Sequence, residues 1–458
     1  MEEMVEQIEL LLEQEDTTQL REYLNNLNIS DVEELIDELP EHGPLFIETL
    51  SISRAVNVFR ILDFPTQERI LKKLSGPKSN EIITELPPDD RTALFADLHG
   101  DVVKTLILNL SPADRKEALI LLGYEEDSVG RLMTPDYVAV KKNWDVNRVL
   151  SHIRRYGKNS ETIDVIYVID EKGVLLDDIR IREILLVTPE TKISELMDGR
   201  LIALDANDPQ EEAINVFRMN NRTALPVTDS ENILLGIVTV DDILWIANEE
   251  YTEDIQKIGG TEALDEPYLD INIFRLVKKR VGWLIILFLG EMLTATAMGF
   301  FEKQIEKAVV LALFIPLIIS SGGNSGSQAS TLIIQAMALG EVTIKDWWRV
   351  MRREILSGLM LGGTLGIIGF MRIFIWSQFS DTYGPYWPLV GLTVGLALVG
   401  IVLWGSLAGS MLPLILKKLG ADPATSSAPF VATLVDVTGL IIYFSVAVNI
   451  LSDTLLKH

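Results

Sequence analysis

One apolar segment of this sequence is interrupted by small polar residues. Residues 309–340 read VVLALFIPLIISSGGNSGSQASTLIIQAMALG. A helix needs about 20 residues to cross the hydrocarbon core of a bilayer, but the apolar run ends at Ile319. Glycine, serine, asparagine and glutamine fill most of residues 320–330. We therefore expect a broken membrane helix there, with backbone carbonyls that line water and bind an ion. The alternative is that glycine and serine let helices pack closely.

Long apolar segments occur only after residue 280. The predicted membrane spans are residues 281–301, 309–340, 355–376, 386–416 and 424–451. Basic residues cluster before the first span, between the second and third, and between the fourth and fifth, at residues 275–280, 345–353 and 417–418. Because such clusters stay on the cytoplasmic side, the sequence predicts a multi-pass plasma (inner) membrane protein with a cytoplasmic N-terminus and an extracellular His458. The first residues, MEEM, lack the features of a signal peptide.

Charge is distributed unequally along the chain. Residues 1–274 hold 56 of the 66 acidic and 26 of the 40 basic residues, a net charge of −30, whereas the remainder carries +4. Nucleic acids and anionic lipids bind through Lys and Arg, so no nucleic-acid partner is expected. The chain has no cysteine, and its four histidines lie outside the apolar segments, which leaves oxygen ligands for a cation in the membrane. An acidic surface also serves solubility alone.

Residues 1–127 are predicted to form an all-α superhelical domain. A proline followed by polar or acidic residues and then Arg recurs at Pro65, Pro88 and Pro112, at intervals of 23 and 24 residues. Proline and carboxylates suit the first turn of a helix, and the repeat indicates an array of short helical hairpins. The domain is either a spacer or a ligand-binding part. Its candidate contacts to the next domain are Asp89, Asp90 and Asp97.

Residues 128–246 alternate between short β-branched strands and helices, which predicts an α/β fold in two copies. Two motifs, Arg131-Leu132-Met133-Thr134-Pro135 and Gly236-Ile237-Val238-Thr239-Val240-Asp241-Asp242-Ile243, are similar to those of paired CBS domains. We place these domains at residues 128–197 and 198–246. The resemblance implies that Thr239 and Asp242 contact the ribose of a nucleotide such as ATP. In the first copy, Leu176-Asp177-Asp178 replaces the usual Ser or Thr.

A linker helix at residues 247–275 is predicted to carry carboxylates on one face. They are Glu249, Glu250, Glu253 and Asp254. The CBS-like part adds Glu211, Glu212, Asp241 and Asp242. Like charges a few ångströms apart repel, so the two acidic surfaces can approach only with cations between them. The alternative is a solvated acidic helix.

Two carboxylates lie inside predicted spans. Asp436 shares a helical face with Ala432 and Thr433 in the fifth span, and Glu291 lies in an otherwise apolar part of the first. A carboxylate inside a membrane is unfavourable unless it meets water or a cation, so Asp436 is a candidate functional residue. Glu291 has a weaker claim.

These features resemble the MgtE family of magnesium channels over essentially the whole chain. The matching motifs are Pro316 with Gly322-Gly323-Asn324, Asp422-Pro423-Ala424, and Pro429-Phe430-Val431-Ala432-Thr433-Leu434-Val435-Asp436-Val437-Thr438-Gly439. The resemblance implies transport of Mg²⁺ rather than enzymatic activity, with a five-span α-helical pore domain at residues 276–458. It implies a homodimer whose pore lies on the two-fold axis. Asp436 of each copy would hold a hydrated Mg²⁺ ion, with Ala432, Gly323 and Asn324 beside it.

The resemblance also implies that cytoplasmic Mg²⁺ closes the pore. The linker then acts as a plug helix, pulled closed when ions fill sites made by Glu211, Asp242, Glu250, Glu253 and Asp254. On the same grounds Asp422 faces that helix at the cytoplasmic mouth of the fifth span. Ser327 and Ala428 stand where family members often place asparagines at the pore, which leaves the selection among divalent ions open.

Three functions remain distinguishable. The first is the regulated Mg²⁺ channel that mediates uptake. The second is a transporter, either of broader divalent specificity, including Co²⁺ and Mn²⁺, or a secondary cation transporter with two alternating states. The third is a membrane-anchored CBS sensor without transport, which would leave the polar residues 320–330 without a purpose.

Overall fold

The computed structural model describes residues 2–14, 17–98, 100–264, 268–269, 271–452 and 454–456. Within α-helices, the side chains of Glu2, Asp97, Gly100, Asp101 and Thr105 are outside that description. Asp97, one of the predicted domain contacts, therefore lies outside the described side chains. The chain divides into two compact units, Met1–Asn248 and Glu249–His458.

The first unit begins with short helices that stack in sequence. They are α1 Glu2–Glu13, α2 Thr17–Asn26, α3 Ile29–Glu38, α4 Gly43–Thr49, α5 Ile52–Ile61, α6 Phe64–Lys73, α7 Gly76–Glu85, α8 Pro88–Asp97, α9 Gly100–Asn109 and α10 Pro112–Leu121. Pro65, Pro88 and Pro112 lie in the first turns of α6, α8 and α10. Each of α3, α5 and α7 packs on the helix two further along, around an apolar core that includes Leu35 and Phe59. The predicted all-α superhelical fold is confirmed.

The rest of this unit contains two sheets of identical topology. The elements are α11 Val129–Leu132, β1 Ala139–Lys141, α12 Val146–Tyr156, β2 Val165–Ile169, β3 Leu175–Arg180, α13 Ile181–Leu185, α14 Ile193–Leu196, β4 Leu204–Asp205, α15 Gln210–Asn220, β5 Ala224–Thr228 and β6 Leu234–Thr239. In each sheet the first strand pairs parallel with the second, which pairs antiparallel with the third. Tyr167 and Ile237 belong to an apolar cluster shared by both sheets. The tandem α/β architecture is confirmed.

The linker helix begins earlier and ends earlier than the sequence predicts. Helix α16 runs Val240–Ile258, so it starts directly after β6. It ends at Gly259-Gly260, where Gly260 has a φ of +76°, a conformation that glycine adopts without steric cost. The predicted linker helix extended to residue 275, whereas Ile273 already belongs to a separate helix that begins there, with Asn272 capping its first turn.

The second unit contains five helical segments that are long and apolar enough to cross a membrane, among the residues described. The segments are Ile273–Phe300, Val309–Ala338, Ile344–Ser377, Asp381–Lys418 and Ala428–Leu451. Their α-helices are α17 Ile273–Phe300, α19 Ile315–Ala338, α20 Trp347–Ser377, α21 Trp387–Lys418 and α22 Ala428–Leu451, and a short helix α18 Glu302–Lys307 follows α17. The predicted five-span organisation is confirmed.

The expectation of a broken second span is wrong. Helix α19 continues through residues 320–330, and the irregular part is the 3₁₀ turn Val309–Phe314 before it. The small residues serve close packing instead, because Gly322 and Gly326 of α19 lie against Gly405 and Gly409 of α21. A methyl group on Gly405 would lie 2.5 Å from the carbonyl oxygen of Gly322. The two backbones therefore touch, as small residues in membrane helices allow.

This contact predicts a strong effect of Gly409→Ala on stability. The added methyl would overlap the carbonyl oxygen of Gly326, so α19 and α21 would have to separate. Overpacking of this kind costs about 1–3 kcal/mol or more. We expect a lower thermal unfolding midpoint of the detergent-solubilised protein. Gly363→Ala on α20 is the matched control, because nothing lies within 4 Å of its added methyl; equal midpoints for the two variants would contradict the packing.

Candidate cation sites

Helices α19 and α22 bring three predicted site residues together within the membrane-spanning part. A methyl group on Gly323 would lie 3.3 Å from Cβ of Ala432 and 3.4 Å from Oδ1 of Asp436. Gly323 therefore leaves a gap that exposes its backbone to this carboxylate. Asp436 is half-buried and lies about 12 Å along the helix axis from the start of α22, at 1.5 Å per residue. A carboxylate at this depth is positioned to meet a cation.

A second carboxylate lies near Asp436. Helix α17 packs on α22 where Gly290 meets Thr433, because a methyl group on Gly290 would come within 2.7 Å of Cγ2 of Thr433. The next residue, Glu291, is exposed and close enough to Asp436 for their charges to interact. The two membrane carboxylates thus share one region of the unit.

Asn324 lies on a different face of α19 from Gly323. Its side chain is exposed, and its Nδ2 donates to Oγ of Ser320 at 3.3 Å. Ser320, Asn324 and Gln328, four residues apart, form an exposed polar stripe along one face of this helix. Within one copy of the chain, this stripe is separate from the gap at Gly323.

The two positions that depart from the family pattern contact each other. Oγ of Ser327 donates to the backbone carbonyl of Ala428 at 3.0 Å, and Oγ of Ser330 donates to that of Ser426 at 2.9 Å. Both carbonyls belong to the chain at or just before the start of α22. The serines of α19 therefore hold the beginning of the helix that carries Asp436.

Asp422 contacts the linker helix through a lysine. Nζ of Lys257 donates to Oδ2 of Asp422 at 2.7 Å and also pairs with Glu253 one turn earlier on α16. Oδ1 of Asp422 accepts from the backbone N–H of Ala424 at 2.8 Å. Burial disfavours the charged lysine, but the hydrogen bonds and charges of Asp422 and Glu253 outweigh it and raise the pKa of Lys257. Asp422 faces the linker as expected, and its role in metal binding stays a prediction.

The end of the linker also packs on the start of the fifth span. A methyl group on Gly260 would lie 3.3 Å from Cγ of Pro429 and 3.5 Å from Oγ of Ser427. The other two predicted linker ligands, Glu250 and Asp254, are half-buried and four residues apart on α16. Through Gly260, the chain just after α16 therefore lies against the start of the helix that carries Asp436.

In the first unit, Asp242 belongs to a cluster of acidic side chains. Its Oδ2 accepts from Oγ1 of Thr239 at 2.6 Å. Asp89 and Asp90 of α8 and Glu161 before β2 lie close enough to interact with it electrostatically. The cluster therefore joins the helical domain to the CBS-like part, as predicted for Asp89 and Asp90.

An arginine partly neutralises this cluster. Arg60 of α5 pairs with Asp90, and its Nη2 lies 3.3 Å from Oε1 of Glu161. Asp89 is only 6% exposed, and its Oδ1 has no hydrogen-bond partner among the residues that the structure describes. Burial, followed by the neighbouring negative charges, raises the pKa of Asp89 well above its usual value. Burial likewise raises the pKa of Asp90 to about 6 and that of Asp242 to about 7.

These shifts predict that packing in the first unit depends on pH. Asp242 binds its proton more tightly when packed, with a pKa of about 7, than when exposed, with a usual value of 3.8. Packing is therefore strongest at low pH and weakens as pH rises through about 4 to 7, while the protons leave. Without divalent cations, hydrogen exchange of α8, corrected for its intrinsic pH dependence, should become faster at pH 8 than at pH 5, and Mg²⁺ should slow it again.

Asp242→Asn is the control for this pH effect. The amide cannot ionise, so part of the dependence should disappear, whereas Asp145→Asn at the cap of α12 should leave it unchanged. If hydrogen exchange of α8 in the unaltered protein were equally fast at pH 5 and pH 8, that result would contradict the predicted pH dependence of packing in the first unit.

Glu211 is the remaining predicted ligand of the CBS-like part. It is exposed in the first turn of α15. Among the described residues, no group of three or more His, Cys, Asp or Glu side chains has a geometry that could hold a metal ion.

The sequence patterns did not predict a role for Lys257, Arg60 or Glu161. Lys257 had a signal, because it follows Glu253 by four residues and helical ion pairs favour that spacing. Arg60 and Glu161 are separated by 101 residues, so only the packing of the helical domain on the CBS-like part brings them together.

Comparison with known proteins agrees with this architecture. Residues 27–127 match the model of the MgtE intracellular N domain, residues 129–190 and 193–248 match CBS domains, and residues 315–446 match the divalent cation transporter model MgtE. A crystal structure of the cytosolic domain of the Mg²⁺ channel MgtE in complex with ATP is 35% identical, with a TM-score of 0.51 over 53% of this chain and 99% of that one. The soluble part of a magnesium transporter is 25% identical, with a TM-score of 0.50 over 54% and 98%.

Full-length relatives extend the similarity to both units. The magnesium transporter MgtE of Thermus thermophilus is 39% identical over 95% of this chain and 96% of its own length. The magnesium transporter MgtE of Bacillus subtilis is 27% identical over 97% of each chain. With cytoplasmic N and CBS domains followed by five candidate membrane spans, the chain belongs to the MgtE family of magnesium transporters.

Proposed function

We propose that this chain forms a Mg²⁺-selective channel that mediates magnesium uptake and closes when cytoplasmic Mg²⁺ rises. The observation that carries this proposal is the half-buried Asp436 beside Gly323 and Ala432 within the spans. Mg²⁺ gives up its water reluctantly and is usually bound by one or two carboxylates. A site of that kind holds the ion weakly enough for it to leave, which conduction requires.

The exposed polar stripe of α19 supports a homodimer. Ser320, Asn324 and Gln328 would face hydrocarbon in a single copy, where polar groups lack partners. A second copy related by a two-fold axis would cover the stripe or enclose water against it, and it would supply a second Asp436. In this arrangement Asn324 lines the path. The basic clusters at residues 345–353 and 417–418 favour an extracellular His458.

Closure by cytoplasmic Mg²⁺ would use the acidic residues outside the spans. We assign this role to Glu211 and Asp242 of the CBS domains and to Glu250, Glu253, Asp254 and Asp422. The Lys257 ion pairs support the assignment, because Glu253 of the linker helix and Asp422 before the fifth span lie close enough to share one positive charge. A ligand shifts a conformational equilibrium only by its differential affinity, so Mg²⁺ must bind these carboxylates better in the closed state.

ATP is the proposed nucleotide of the second CBS domain. The crystal structure of the related cytosolic domain contains ATP, and Thr239 at the end of β6 donates to Asp242 in the first turn of α16. An ionised Asp242 can accept hydrogen bonds from ribose hydroxyls.

Broader divalent specificity is the second candidate, and the Ser327 contact favours it. The hydroxyl of Ser327 donates to the backbone carbonyl of Ala428. Neither residue therefore offers a side-chain amide to the water shell of an ion. Fewer oriented groups discriminate less between hydrated ions of similar size. Mn²⁺ and Co²⁺ would then share the path.

Flux into liposomes tests both candidates. Purified protein is reconstituted, and uptake of Mg²⁺, Mn²⁺, Co²⁺ and Ca²⁺ is followed with a trapped indicator for each ion. A selective channel is expected to pass Mg²⁺ well above the other three. Equal uptake of Mn²⁺ and Co²⁺ would favour the broader candidate, and uptake of none of the ions would contradict transport altogether.

A further inference from the structure

Helix α20 has two faces of different character. On one face Gly362 and Gly366 lie against α21. A methyl group on Gly362 would lie 2.8 Å from Cα of Val399, and one on Gly366 would lie 2.7 Å from the carbonyl oxygen of Gly395. The other face is exposed near the end of the helix. It consists of Ile367, Ile368, Met371, Arg372, Ile375 and Trp376.

Arg372 is a charged residue within a membrane-spanning segment. It lies five residues before the end of α20, about 8 Å along the axis at 1.5 Å per residue. Its guanidinium carbon lies 5.3 Å from the centre of the Trp376 ring. No hydrogen bond or ion pair joins Arg372 to any residue in the part of the chain that the structure describes. At this distance from the helix end, the long side chain of Arg372 reaches the depth of the lipid head groups, where phosphate groups are available as partners.

We propose that this face binds an anionic phospholipid in the leaflet opposite the basic loops. The phosphate accepts hydrogen bonds from the guanidinium of Arg372, a geometry that the planar fork favours. One acyl chain lies along Ile368, Met371 and Ile375. Trp376 lies at the interface, where indole rings of membrane proteins concentrate. The inference concerns a surface away from Asp436 and does not depend on the proposed channel.

Charge complementarity selects this occupant over a second copy of the chain. This face carries no carboxylate, so a two-fold symmetric contact through it would bury two guanidinium groups without an acidic partner. A zwitterionic phospholipid carries a head-group cation that competes with Arg372 for the phosphate. An anionic head group such as phosphatidylglycerol has no such cation, so it should bind more tightly.

The test measures lipid binding to the full-length protein in detergent by native mass spectrometry. Phosphatidylglycerol is expected to bind with at least about tenfold higher affinity than phosphatidylcholine, the effect of one charge-assisted contact. Arg372→Gln should remove that preference. Lys303→Gln is the matched control, because Lys303 is an exposed cation of α18, near the same ends of the helices. Inorganic phosphate should neither bind nor compete.

Three results would overturn the inference. The first is a preference for phosphatidylglycerol in Arg372→Gln that equals that of the wild type. The second is a loss of this preference in Lys303→Gln as large as the loss in Arg372→Gln. The third is competition by inorganic phosphate, which would indicate a site for a free anion. A higher dimer fraction in Arg372→Gln would also count against the inference, because a dimer through this face gains stability when the unpaired positive charges are removed. If that variant does not fold, a photoactivatable phosphatidylglycerol added to wild-type protein should crosslink to residues 367–376, and crosslinks found only elsewhere would contradict the site.

Discussion

Replacement of Asp436 by alanine is expected to abolish Mg²⁺ flux while the protein stays folded. The change removes the carboxylate that faces Gly323 and Ala432, and none of the hydrogen bonds between described residues uses this carboxylate. A cation that loses about 3 kcal/mol of attraction occupies a site about a hundredfold less. Flux into liposomes should therefore fall by about two orders of magnitude at equal amounts of reconstituted protein.

Two further variants make this result specific. Asp436→Asn keeps the shape and can still hydrogen-bond the water shell of the ion, so it should retain more flux than the alanine variant. Glu291→Gln removes the neighbouring carboxylate and should have a smaller effect, because Glu291 is exposed on α17. Wild-type flux through Asp436→Ala would exclude this residue as the ligand in the path.

Neutralising the linker should weaken closure by cytoplasmic Mg²⁺. The variant Glu250→Gln, Glu253→Gln, Asp254→Asn removes three carboxylates whose occupation is proposed to favour the closed state. Each tenfold change in an equilibrium corresponds to about 1.4 kcal/mol, and losing one charged ligand to a cation costs at least about that much. The Mg²⁺ concentration for half-maximal closure should therefore rise by about tenfold or more.

Two controls separate metal ligands from other effects of the charge change. Glu183→Gln, Glu190→Gln, Glu195→Gln removes three exposed carboxylates from the first CBS domain and should close like wild type. Lys257→Gln breaks the ion pairs with Glu253 and Asp422 but keeps every carboxylate, so Mg²⁺ should still close it. If the linker variant closes over the wild-type range of Mg²⁺, the linker is not the sensor.

Local sequence patterns were sufficient for most of the fold. Proline at Pro65, Pro88 and Pro112 predicts helix starts because the first turn tolerates a residue without an N–H. Hydropathy and basic clusters predict the spans. The break predicted at residues 320–330 was wrong, because composition alone does not reveal that α21 brings Gly405 and Gly409 against the glycines of α19.

The candidate sites were predictable where one helix carries them. Helical spacing places Asp436 and Ala432 on one face, and it places Glu250, Glu253 and Asp254 on another helix. Pairings between distant elements were not predictable. Ser327 meets Ala428 across 101 residues, and Lys257 meets Asp422 across 165 residues, because the packing of whole helices decides these contacts.

The central claim is that Mg²⁺ passes through a channel that closes on cytoplasmic Mg²⁺. Single-channel recording from a planar bilayer, with Mg²⁺ as the only permeant cation, tests it most directly. We expect unitary currents whose open probability falls as Mg²⁺ is added on the side of the CBS domains, and no such currents from Asp436→Ala. Mg²⁺ flux into liposomes without unitary currents, or openings that cytoplasmic Mg²⁺ leaves unchanged, would contradict the claim.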